Sequence, residues 1–414
     1  MAFSFLINAY ACEPDKGSEP GIGWNWALYL AKQGNNVVVI TRSNNEEIIK
    51  QELKNPLYKD INLRFIFCDA NKWVRKLKKG QKFIHLYYHF WQKEAYKIAK
   101  EECKKTKFDY CLAVTFGNIW LYNPFYKLPV KFIWGPLGGG EGISHKLLGK
   151  MGIKQFLYEC FRNINKYIPI TNIRLRKICK KSFLLIARTQ DTFNVFPKKY
   201  RHKTKVMIET GISKQEIEYF NSLKIEKNDY FVFSGKLVDY KMPNLAIDSF
   251  IKAKNDGNIK EKLVIIGDGP NRKKLENRIS KSIFQKEIVF TGNVERQKAL
   301  EIMANSKGII LPSGREAGSW IIFEAMLLKK PIVCFNCTGM HEILYPNLAY
   351  FVNVDNYNNS MLKFSRHIIN ISKDFNENLV NEAYDKCIKE YLWENKMKMF
   401  MSYIYEYELE KKNK

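Results

Sequence analysis

The chain contains no D-x-D and no H-E-x-x-H, so the short patterns that most directly supply a catalytic divalent metal with ligands are missing. No apolar run reaches the roughly 18 residues of a membrane-spanning helix. The nine cysteines are an odd number scattered without framework spacing, which argues against a disulfide scaffold and for a reducing, cytoplasmic setting. The one C-x-x-C, Cys334 to Cys337, follows a proline among β-branched residues and has no second pair to complete a zinc site. It reads as the end of a buried strand. The opening MAFSFLINAYACEP lacks a basic leader region and a good cleavage site, and is expected to be a first buried strand. Acidic residues are also scarce, 42 against 68 lysines and arginines, for a net charge of +26.

That charge is uneven. Residues 1–214 carry a net +22, leaving +4 for the rest. The densest basic runs are KWVRKLKKGQK at 72–82, the segment 146–181 whose only acid is Glu159, and KKYRHKTK at 198–205. Such clusters attract polyanions, but no basic run interleaved with aromatics in the manner of RNA-binding modules occurs, so nucleic acid is not an expected partner. An anionic membrane surface is. Within KLLGKMGIKQFLYECFRNINKYIPI, residues Leu147, Leu148, Ile153, Phe156, Leu157, Phe161 and Ile164 form an apolar stripe beside lysines, fitted either to a bilayer surface or to the core of its own domain.

A length of 414 residues exceeds what one hydrophobic core usually organises. Short Val-, Ile- and Phe-rich runs begin at 3, 36, 63, 110, 131, 182 and 205, and a second series begins at 230, 262, 287, 307, 331 and 349. Alternating with helical patterns, they predict an α/β chain of two Rossmann-like, doubly wound domains with parallel strands buried on both faces. The boundaries expected are 1–214, 215–394 and a last helical segment, 395–414, packing back on the first domain.

In open α/β sheets, ligands bind where strands end and helices begin. The first such turn places Gly21 and Gly23 just ahead of a helix with Trp24 and Trp26, which suits either a phosphate near backbone amides or simply a tight turn. SGKLVDYK at 234–241 presents Gly235, Lys236 and Lys241, two cations suited to a diphosphate. IIGDGP at 265–270 brings Gly267 and Gly269 into a turn able to face a flat base. In PSGREAGSWIIFEAM, Ser319 is expected to cap a helix beginning at Trp320, so that Gly318 and the following amides form an anion site. Glu316 and Glu324 stand on either side of it, each able to accept hydroxyl hydrogen bonds. Acceptor, anion site, acceptor is the order a nucleotide sugar requires.

G-x-x-x-x-x-K after a strand, GDGP, and E-x7-E followed by AM resemble the carboxyl-terminal half of the retaining glycosyltransferases of family 4, which have the GT-B fold with two domains facing a cleft. GSEPGIGWNWA (17–27), IWGPLGGGE (133–141) and ARTQDT (187–192) resemble the subgroup that builds bacterial capsule, lipopolysaccharide or exopolysaccharide. The resemblance implies that Glu316 binds donor-sugar hydroxyls, that Glu324 binds the ribose, and that Lys236 and Lys241 neutralise the leaving diphosphate. Gly21 and Gly23 would admit donor phosphate or acceptor, and Gly138, Gly139, Gly140 and Glu141 would face the cleft. Ser319, Met242 and Leu112-Ala113 depart from the pattern, which often has glycine, glycine and histidines there.

The reaction this implies is metal-free and needs no cofactor beyond the nucleoside diphosphate sugar. Glu141 is the one amino-terminal acid placed to act as a nucleophile, so front-face attack by the acceptor is preferred, with the departing phosphate oxygen taking its proton. The acceptor is expected to be a saccharide, lipid-linked at the inner face of the plasma membrane. Alternatives are a sugar-phosphate synthase or phosphorylase-type enzyme with a soluble acceptor, and a non-catalytic polyanion-binding protein.

Overall fold

A computed structural model describes residues 2–78, 80, 82–165, 172–226 and 229–412. Parts of the basic run at 72–82, of the apolar stripe at 146–170 and of the connection at 212–229 lie outside the described residues. The chain forms two compact units.

The first unit is built on seven strands: β1 Ser4–Asn8, β2 Asn36–Arg42, β3 Leu63–Cys68, β4 Tyr110–Ala113, β5 Lys131–Leu137, β6 Ser182–Ala187 and β7 Thr204–Val206. Their order is β3-β2-β1-β4-β5-β6-β7, with every pair parallel. Both faces are buried, which is why these strands read as continuous apolar runs. Phe5, Ile7, Val37 and Val39 enter one core and Leu6, Val38 and Ile40 the other. The helices Ser18–Lys32 and Trp393–Lys412 cover the first face and Ile84–Lys105 the second. Trp393, Met397, Phe400 and Ile404 are wholly buried against the first unit, each such side chain contributing up to about 1.5–3 kcal/mol. Phe400 sits edge-on to Trp26 at 5.1 Å, and Trp393 stacks on Tyr29 at 5.9 Å.

The second unit carries β8 Tyr230–Ser234, β9 Lys262–Ile266, β10 Ile288–Gly292, β11 Gly308–Leu311, β12 Ile332–Phe335 and β13 Tyr350–Val352. The order is β10-β9-β8-β11-β12-β13, again parallel throughout. Strand order reverses between β8 and β11, so the loops following these two strands flank the switch point where α/β sheets hold ligands.

The units differ from the sequence boundaries by two or three residues at 211/212 and 392/393, and more substantially at one segment. Residues 141–165 belong to the second unit, which otherwise spans 212–392, and the first unit comprises 1–140, 166–211 and 393–414. Three contacts explain the transfer. Arg315 pairs with Glu159 at 3.1 Å, Gly152 N donates to Asp239 at 3.3 Å, and Ile143 packs on Gly314. No helix among the described residues is long and apolar enough to cross a membrane.

Candidate active site at the switch point of the second sheet

The loop after β8 begins with Gly235 and ends in a short turn, Asp239–Lys241. The loop after β11 runs through Gly314 to Ser319 and enters the helix Trp320–Leu327. The two are tied together. Gly314 N donates to Tyr240 O at 2.9 Å, and the Arg315 guanidinium lies 4.6 Å from the Tyr240 ring centre. Lys241 Nζ donates to Glu316 Oε1. The side chains of Lys241 and Glu316 are only 15% and 9% exposed, so water screens this pair little and an entering anion must compete with a carboxylate for the lysine.

The beginning of the helix Thr338–Leu344 clasps the same loop. Glu316 N donates to Thr338 Oγ1 at 3.0 Å, and Gly339 N donates to Glu316 O at 2.8 Å. A Cβ on Gly339 would fall 1.6 Å from Ala317 O, so only glycine lets these segments meet. Thr338, Gly339 and Arg315 thus set the backbone of Glu316. Sequence reasoning missed them, although Arg315 lies between residues it had singled out.

Gly267 and Gly269 follow β9. Gly267 has φ of +120°, and a Cβ there would meet Gly235 O at 2.2 Å; one on Gly269 would meet Leu237 O at 2.5 Å. Their first task is therefore to let the β8 and β9 loops touch backbone to backbone. Lys236, five residues before Lys241, is exposed and forms no ion pair among the described residues. Of the two predicted cations, one is held and one is free to turn.

Ser319 occupies the N-cap position with extended backbone, φ −76° and ψ 122°, but its hydroxyl bonds no first-turn amide. The expected side-chain cap is therefore absent, although the backbone suits one. Trp320 follows, with the Arg296 guanidinium 5.9 Å from its ring. Glu324, in the second turn, accepts from Arg296 Nη2 at 3.2 Å, and Glu216 lies 3.7 Å from the same nitrogen. Burial pushes the Glu324 carboxyl above its ordinary range, and Arg296 opposes that shift. Met242, where glycine is often found, takes a left-handed φ of +51°, a conformation glycine adopts more readily.

The first unit corrects one expectation. Gly21 and Gly23 do not precede the helix but lie buried inside it, since it starts at Ser18. A Cβ on Gly21 would fall 1.7 Å from Lys16 O, and one on Gly23 would fall 2.0 Å from Ala11 O. The space that glycine leaves is filled by the chain's own carbonyls, so these residues seat the helix on its preceding loop and offer no opening to phosphate. Gly139 packs on Asn118, and Gly140 N donates to Thr192 Oγ1 at 3.0 Å. Glu141 is buried and belongs to the second unit, where its carbonyl accepts from Arg162 Nε at 2.9 Å.

At the carboxyl edge of the first sheet the structure joins two quoted signatures. Arg188, directly after β6, contacts Glu19 at 2.9 Å and Glu209 at 3.2 Å, while Phe116 N donates to Glu19 at 2.7 Å. This network ties the segments following β1, β4, β6 and β7. Among the described residues no group of three His, Cys, Asp or Glu is placed to hold a metal ion.

Residues 214–386 match the family model described as glycosyl transferases group 1. An uncharacterized glycosyltransferase of Methanocaldococcus jannaschii is 26% identical over 201 residues, covering 46% of this chain and 48% of that protein. The chain thus matches about half the length of this curated relative. Among solved structures, Anabaena HepE in complex with UDP and glucose aligns over 98% of this chain and 100% of its own, with 13% identity and a TM-score of 0.58. WaaG, a glycosyltransferase involved in lipopolysaccharide biosynthesis, aligns over 95% of this chain and 98% of its own, with 14% identity and a TM-score of 0.54. A glycosyltransferase from Rickettsia africae covers 98% of each chain, with 15% identity and a TM-score of 0.61. The likeness is one of fold: two parallel-sheet, Rossmann-like units of the GT-B kind.

Proposed function

We propose that the protein is a retaining glycosyltransferase of family 4 that moves a sugar from a nucleoside diphosphate sugar to a saccharide acceptor. The observation that carries this reading is the Lys241–Glu316 pair, which joins the loops after β8 and β11 at the switch point of a glycosyl transferases group 1 domain. Glu316 is the hydroxyl acceptor for the donor sugar and Glu324 for the ribose, with Lys236 and Lys241 meeting the diphosphate. The likeness to HepE bound to UDP and glucose supports a nucleotide-sugar donor, and the likeness to WaaG supports a role in surface polysaccharide. The acceptor in this reading is lipid-linked, and the enzyme works peripherally at the cytoplasmic face of the membrane.

In the reaction, the bond between the anomeric carbon and the diphosphate oxygen breaks, and the acceptor oxygen bonds the same carbon from the same face. The acceptor proton passes to the departing phosphate oxygen. Charge develops on that oxygen, and the two lysines compensate it without a metal, an electrostatic contribution that commonly dominates such catalysis. Purified protein incubated with a panel of nucleoside diphosphate sugars tests this: one donor should raise the melting temperature and be slowly hydrolysed. Silence across the panel refutes the assignment. Turnover only with a soluble sugar phosphate replaces the lipid-linked acceptor.

A further inference from the structure

The helix Ile153–Asn165 is inside out. Its polar side faces the protein, with Glu159 wholly buried in its pair with Arg315 and accepting from Gln155 Nε2 at 2.6 Å. Arg162 Nε donates to Glu141 O and Asn163 Nδ2 donates to Ile143 O, both at 2.9 Å. At 3.6 residues per turn these four side chains share one side of the helix. Ile153, Phe156, Leu157, Phe161 and Ile164 share the other, and they are 80%, 40%, 60%, 64% and 64% exposed. A helix on a protein surface ordinarily shows the reverse. Leu147 and Leu148, grouped with this stripe by sequence, are buried instead.

Charge selects what covers this face. Both acids of residues 141–165, Glu141 and Glu159, are buried, whereas Lys146, Lys150 and Lys154 are exposed. A second copy docking through a two-fold axis would set these lysines against themselves; an anionic headgroup layer neutralises them. We propose that the helix Ile153–Asn165 lies in the headgroup region of an anionic bilayer, with its five exposed apolar side chains directed at the acyl chains. Tyr158, 53% exposed, stands on the flank at the level where aromatic residues favour the interface. Glu159 fastens the helix to Arg315, the neighbour of Glu316, so the docked element is part of the donor loop's own support. The purpose of docking rests on the reading that the acceptor is presented at a membrane.

Flotation of the full-length protein tests the docking, using vesicles of phosphatidylcholine alone and of phosphatidylcholine with phosphatidylglycerol, at low and high salt. Binding should need the anionic lipid and weaken with salt. It should fall at least about tenfold in Leu157→Gln/Phe161→Gln and in Lys150→Glu/Lys154→Glu, with melting temperatures unchanged because these side chains are exposed. Indifference to both vesicles overturns the proposal. So does a concentration-dependent dimer that Leu157→Gln/Phe161→Gln abolishes in protein that ignores vesicles. Donor hydrolysis is read separately, so flotation without any donor response retires the enzyme assignment and supports the docking.

Discussion

Replacing Glu316 by glutamine should separate two properties that usually fall together, tightening UDP binding while suppressing turnover. Lys241 spends its charge on Glu316, and at 15% and 9% exposure neither partner is well solvated. A hydrogen bond to a charged group of this kind contributes about 1.5–3 kcal/mol, and a diphosphate recruiting Lys241 must give that up. Glutamine keeps the shape and removes the charge, which returns about 1.4 kcal/mol to the ligand, or roughly tenfold in affinity. UDP carries no hexose, so lost contacts between Glu316 and the sugar do not enter its affinity. They do enter turnover, which should drop by about 100-fold or more. Titration calorimetry with UDP and steady-state donor consumption read the two effects. Weaker or unchanged UDP binding in Glu316→Gln would refute the competition for Lys241, and undiminished turnover would remove Glu316 from the site. The complementary change, Lys241→Met, leaves a buried carboxylate alone and should cost about 3 kcal/mol of stability in urea unfolding, most of it recovered in Lys241→Met/Glu316→Gln.

Three further outcomes follow from buried groups. Burial raises the Glu324 carboxyl, so its contribution to stability is present at acid pH and lost as pH rises through the raised value; Glu324→Gln should remove that slope in urea unfolding, and Glu324→Ala should chiefly weaken UDP binding. Lys396, 1% exposed and donating to Ile208 O, has its amine held down to about 7 by burial. The unfolded chain therefore binds the proton more readily, and stability should rise with pH between about 7 and about 10.4, a rise that Lys396→Met should flatten. Gly23→Ala should cost about 3 kcal/mol or more, because its Cβ would lie 2.0 Å from Ala11 O. Gly17→Ala, with nothing within 4 Å, should be close to neutral by thermal melting.

All thirteen strands among the described residues, and the two sheets they form, were legible in the sequence, because parallel strands buried on both faces must be short unbroken apolar runs, and their helices must separate them. The loops that meet at β8, β9 and β11 were legible too, since glycines and charges at strand ends stand out against such runs. Local pattern did not carry the long-range pairings. Lys241 meets Glu316 across 75 positions and Arg188 meets Glu19 across 169, and side chains so far apart in the chain are brought together only by strand order. Tertiary packing also decided that residues 141–165 support the loops after β8 and β11 of the second unit and that the helix from Trp393 closes the core of the first. The helix at 153 shows the limit most plainly. Its apolar stripe is written in the sequence, but whether a stripe faces core or solvent depends on what its opposite side finds, and Arg315 held Glu159 on the inside.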